Sequence, residues 1–135
     1  MTTDLFYLTL TALLCAALWI PYIVGNTICH GLLKPDDYKT AGLPKKANSP
    51  EWLARANRAH VNMVEGFPSF AALVIVAHLT AEANAITAMA SMIFFWARLV
   101  HGVVYVMAIP YMRTLLFAVG FFCQLAIGLQ ILMQG

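Results

Sequence analysis

Two polar constellations stand inside otherwise apolar stretches of this chain. The first is Arg55, Arg58, Asn62 and Glu65, spaced i, i+3, i+7 and i+10. At about 100° per residue on a helix, these four fall within an arc of roughly 80°. One helix face therefore presents two guanidiniums, a carboxamide and a carboxylate, while His60 points away from it. The second constellation is Arg98, His101 and Tyr105, spaced i, i+3 and i+7, again on one face. Arginine grips carboxylates through bidentate hydrogen bonds, and a carboxylate holds an ammonium. The stripe thus has the chemistry to bind a small zwitterionic or anionic ligand. Two plainer readings compete. Basic residues at the end of a membrane span anchor it in the headgroups, and Glu65 and Arg98 can pair as glue between helices. Charges at bilayer depth are costly and mark functional cavities, however, and the whole stripe exceeds what one ion pair requires.

The elements that must position these residues are membrane helices. The chain has 135 residues, enough for one domain, with 61% hydrophobic and only 10% charged residues and a mean hydropathy of +0.77. A soluble domain carries roughly 25% charged residues, and a small globule is mostly surface. Lipid is therefore the expected solvent. The net charge of +2 gives no reason to expect a nucleic-acid partner. Cys15, Cys29 and Cys123 are scattered, odd in number and without metal-ligand spacing, so they read as small hydrophobes and no metal is expected.

A span needs about 20 mostly apolar residues. Residues 5–29 qualify, with Pro21 as a kink. The start Met1-Thr2-Thr3-Asp4 has no basic segment, so this run reads as a retained first span. Residues 30–50 form the one long polar loop. Residues 51–80 form one long helix, polar in its first half and apolar from Phe67 to Leu79, with Ser49 as its expected cap and Pro50 at its first position. Residues 85–108 are the third span, closed by Pro110. Residues 114–133 are the fourth, with Gln124 and Gln130 inside it. Short turns make sequential helices antiparallel, so the fold class is all-α, an integral membrane four-helix up-down bundle. Six of the eight basic residues lie between positions 34 and 58 (Lys34, Lys39, Lys45, Lys46, Arg55 and Arg58), and Arg113 lies in the turn on the same side. The positive-inside rule makes that side cytoplasmic, with both termini and the Glu82 turn opposite.

The segment R-A-N-R-A-H-V-N-M-V-E-G-F-P-S-F, Arg55 to Phe70, closely resembles the signature of the MAPEG family, the membrane-associated proteins of eicosanoid and glutathione metabolism. A-R-L-V-H-G-V-V-Y, Ala97 to Tyr105, resembles that family's third helix. The resemblance spans essentially the whole chain. It implies a homotrimer of four-helix subunits, with glutathione bound between adjacent subunits in a pocket open to the cytosol. By residue match it implies glutathione contacts from Arg58, Asn62 and Glu65, with Arg55 in the same polar cluster, and contributions from Arg98, His101 and Tyr105. Arg113 falls where the family places the arginine that activates the thiol. Gly66 stands where the leukotriene-forming members carry a tyrosine, and His101 departs from that branch's aromatic pattern. Both departures favour a general transferase. Asn26, His30 or Lys34 is the helix-one residue that reaches the ligand.

The implied activity is glutathione transfer, with Arg113 stabilising the thiolate and Tyr105 bonding the sulfur or the substrate. The thiolate is the reactive form of a thiol whose pKa is near 8.5, and a neighbouring guanidinium favours that anion. Its target is a lipophilic electrophile or a lipid hydroperoxide arriving from the bilayer. Two other classes compete. A small multidrug transporter needs a coupling carboxylate, typically in its first span, and residues 5–29 contain none. A non-catalytic relative that binds a lipid or another protein would keep the stripe as inherited scaffolding. Chain brevity leans towards a bacterial inner membrane.

Overall fold

A computed structural model describes residues 1–32, 34–35 and 49–134. Five α-helices follow one another along the chain: α1 (Thr3–Ala17), α2 (Ile20–His30), α3 (Glu51–Leu79), α4 (Ala85–Val106) and α5 (Met112–Gln134). α1 and α2 together make one span, so four stretches are long and apolar enough to cross a membrane among the described residues. All helices but the first pair are uninterrupted. The interior of the long loop, with Lys39, Lys45 and Lys46, lies outside the described residues.

The first span breaks where a kink was expected. Pro21 has no N–H to donate to the carbonyl of Ala17, and its ring crowds that carbonyl. α1 accordingly stops at Ala17 and α2 restarts at Ile20 after a turn at Leu18 and Trp19. The broken span lets α2 lie closely on the start of α3. A Cβ added to Gly25 would sit 2.2 Å from the Trp52 ring and 2.6 Å from Leu53.

The expected cap of α3 is corrected. Pro50, not Ser49, occupies the N-cap position, and no side chain caps this end. Ser49 Oγ instead lies 2.9 Å from His30 Nε2, joining the two ends of the long loop. α4 is capped by Asn84, whose carboxamide accepts from the backbone of Ile86 and Thr87 while Thr87 Oγ1 accepts from the Asn84 N–H. This capping box satisfies donors that the bilayer would leave unpaired. α4 ends at Val106 and α5 starts at Met112, each two residues from the expected limit.

α4 lies at the centre, packed against α1, α3 and α5. The core joins Phe70, Val74 and Ala77 of α3 to Ala90 and Phe94 of α4 and to Cys123 and Ile127 of α5. The rings of Phe70 and Phe94 stack 3.9 Å apart at an interplanar angle of 10°. Small residues fill much of the interior, while large apolar ones such as Leu13, Ile28, Trp96, Phe122 and Leu132 face outward. That inversion is what a lipid solvent selects: close backbone approach inside, apolar side chains outside.

Candidate functional site

The polar residues gather at one end of the bundle, where α2 and α4 end and α3 and α5 begin. Arg55 at the start of α3 reaches the end of α4, where its Nε donates to the Val106 carbonyl at 3.0 Å. Its NH1 donates to Glu51 at 3.2 Å. The carbonyls at a helix end have no partner within the helix, so Arg55 caps α4. The pair with Glu51 adds little, because Glu51 is almost fully exposed.

The stripe on α3 straddles the edge of the buried face. Arg55 and Asn62 lean inward and are half-buried, whereas Arg58 and Glu65 are exposed. Among the described residues, the outward pair presents an unpaired guanidinium and an unpaired carboxylate. Among the described residues, no cation lies within salt-bridge distance of Glu65. The plain alternative, an ion pair between Glu65 and Arg98, is not what forms.

The stripe on α4 faces inward. Arg98 is 3% exposed and His101 4%. Arg98 NH1 donates to Asn62 Oδ1 at 3.0 Å, which brings the two constellations together. The guanidinium lies over the ring of Phe94, 5.1 Å away, and over that of Phe117, 5.3 Å away. Both distances suit a cation–π contact, which strengthens when water is excluded. Gly66 and Gly120 leave it room. A Cβ on Gly66 would lie 2.5 Å from a terminal nitrogen of Arg98, and one on Gly120 would lie 3.2 Å from its Nε. Gly66, a departure from one branch's pattern at the level of sequence, thus has a packing role here.

Further towards the same end, the His101 ring meets Tyr105 edge-on at 5.4 Å. Arg113 lays its guanidinium over the Tyr105 ring at 4.8 Å. Arg113 is the second residue of α5 and is exposed, so the positive end of that helix adds to its charge. The turn that delivers it holds two non-glycine residues with left-handed backbone, Ala108 at φ 60° and Tyr111 at φ 61°. Such geometry costs energy and persists where surrounding contacts impose it.

The candidates from the first span divide. Asn26 is buried in α2, His30 meets Ser49, and Lys34 is exposed beyond the helix end. The sequence reading missed several features. Pro68 lies within α3 without ending it. Beside it, Ser69 Oγ is 2.6 Å from Gln124 Oε1 of α5 and 3.1 Å from the Gly66 carbonyl. Asn84 and Thr87, three apart before an apolar run, are the sequence signal for this cap. An apolar hollow of about 440 Å³ lies between α4 and α5 at the far end, lined by Ile86, Met89, Ile93 and Phe122 among others. It holds none of the polar constellation.

Residues 6–133 match the model of the MAPEG family. No curated protein matches the chain.

Proposed function

We propose, from the premise that this chain belongs to the MAPEG family, that it is a membrane-bound glutathione transferase. The observation that carries this reading is the juxtaposition at one end of the bundle. An exposed guanidinium and carboxylate, Arg58 and Glu65, flank the half-buried Asn62 on α3, and Arg113 stands over Tyr105 at the start of α5. Glutathione carries two carboxylates, one ammonium and one thiol. Arg58 pairs with a carboxylate and Glu65 with the ammonium. Arg55, Arg98 and His101 complete the polar wall behind them.

The thiol then lies towards Arg113. The guanidinium and the N-terminal amides of α5 stabilise the thiolate over the thiol. Tyr105 donates a hydrogen bond from its hydroxyl to the thiolate sulfur or to an oxygen of the second substrate. The thiolate attacks an electrophilic carbon, forming the C–S bond as the leaving group departs with its electron pair. With a lipid hydroperoxide, the sulfur takes the terminal oxygen as the O–O bond breaks, and the lipid alkoxide leaves and is protonated to the alcohol. A second glutathione then converts the sulfenic acid to the disulfide with loss of water. The apolar exterior admits such substrates directly from the bilayer.

The outward setting of Arg58 and Glu65 also supports a homotrimer in which a neighbouring subunit closes the site. The basic residues at this end support a cytoplasmic orientation. The test is a glutathione-dependent assay on detergent-purified protein, with a chromogenic aryl halide and a lipid hydroperoxide as second substrates. Conjugation or peroxide reduction above the uncatalysed rate is expected. Absence of both, with no heat of glutathione binding at millimolar concentration, identifies a non-catalytic relative instead.

A further inference from the structure

We infer that Arg98 is a positioning residue that fixes the polarity of Asn62. It holds the carboxamide oxygen inside the bundle and leaves the amide N–H donors to the ligand. The middle of the α3 stripe then selects an acceptor, a carboxylate or peptide carbonyl, and disfavours a donor. This rests on the reading of the stripe as a glutathione site.

The geometry leaves the carboxamide no alternative. A guanidinium only donates, so the atom it meets at 3.0 Å must be the Asn62 oxygen. Turning the carboxamide over would set its N–H groups against those of Arg98. The arginine cannot retreat either. The rings of Phe94 and Phe117 both lie against it, and the backbones of Gly66 and Gly120 close against its head. Among the described residues no carboxylate lies within 4.0 Å of it, and its Nε has no partner at all. Asn62 Oδ1 is thus its side-chain acceptor, and a buried cation stripped of its acceptor is strongly disfavoured. Asn62 Nδ2, by contrast, bonds to no described residue and is not among the sealed polar atoms. It sits on α3 between Arg58, one turn before, and Glu65, one turn after.

This assigns Arg98 a role different from direct ligand contact. At 3% exposure it acts through Asn62. Gly66 becomes part of the same device, since any side chain there would push the guanidinium off the carboxamide.

The full chain in detergent tests this with three substitutions, Asn62→Asp, Asn62→Leu and Arg98→Met. Thermal midpoints and calorimetric glutathione affinity are read for each variant. Asn62→Asp keeps an oxygen on Arg98, so it should unfold at or above the parent midpoint, while Asn62→Leu should unfold well below it. Yet Asn62→Asp should bind glutathione about tenfold or more weakly, because an acceptor now faces an acceptor. Arg98→Met frees the carboxamide to turn and should raise the KM for glutathione by more than it lowers kcat. A merely structural arginine would lower the midpoint and leave the KM of the folded fraction unchanged. Parental glutathione affinity in Asn62→Asp overturns the inference, as does an Asn62→Asp midpoint as low as that of Asn62→Leu. A parent that binds no glutathione overturns the functional reading alone, and the order of the two midpoints then still decides whether Arg98 locks the carboxamide.

Discussion

Replacing Arg113 with alanine should slow glutathione conjugation strongly at neutral pH and hardly at all in alkali. An unperturbed thiol titrates near about 8.5, so at pH 7 roughly 3% of it is thiolate. A neighbouring cation lowers the pKa of such an acid by about 1–3 units. Arg113 is exposed on the first turn of α5, where water and salt screen its charge, so the lower part of that range applies. A drop of about 1–2 units gives roughly 24–76% thiolate at pH 7, and its loss gives a rate about 8- to 25-fold lower. The sign follows from the depressed pKa: the advantage exists only below the unperturbed value and vanishes above it. Near pH 9.5 parent and variant are both about nine-tenths thiolate or more, so their rates should converge. The assay is the initial rate with an aryl halide at saturating glutathione, from pH 6 to 9.5. Arg113→Lys keeps the charge and should lose much less at pH 7. An equal deficit at pH 7 and pH 9.5 would show that Arg113 does not act through the thiolate, and no deficit at pH 7 would remove it from the mechanism.

Three further outcomes follow from packing. Gly25→Ala would place a methyl 2.2 Å from the Trp52 ring and should destabilise the protein by about 1–3 kcal/mol in denaturant-detergent titration, with Trp52→Leu restoring part of the loss. Phe94→Ala removes a fully buried ring stacked on Phe70 and set against Arg98, and should cost about 3–5 kcal/mol in the same titration. Asn84→Ala deletes the two bonds that its side chain accepts at the α4 cap and should cost about 1 kcal/mol, with Asn84→Ser or Asn84→Asp keeping most of the stability.

The spans were legible because each is a long apolar run, and lipid demands such runs whatever the tertiary packing. Glu51–Leu79 was readable as one helix despite its polar first half, since the stripe itself has helical spacing. The ends were less so. Ser49 looked like a cap by residue type, but His30 takes its hydroxyl, a partner 19 positions away that no local signal reveals. The stripes were readable as faces. Which way each face turns was not, because that depends on neighbouring helices. Arg58 and Arg98 are the same residue type and each belongs to a regular polar spacing along its helix, yet one is exposed and the other buried. Gly66 and Gly120 decide this by leaving space for a head group that arrives from another helix. Each glycine is silent until the bundle is assembled.

The sealed arginine also bears on how the chain enters its membrane. α4 carries Arg98 and His101 amid apolar residues, and inserting one arginine at the centre of a lone helix costs roughly 2.5–3.5 kcal/mol on biological insertion scales. Beyond Phe94 on its own helix, its compensations lie on other segments: the Asn62 oxygen on α3, already synthesised, and the Phe117 ring on α5, which emerges afterwards. α3 and α4 are therefore expected to leave the insertion machinery as a hairpin rather than one after the other. The same side chain that aligns the stripe in the finished protein would then couple the biogenesis of consecutive spans.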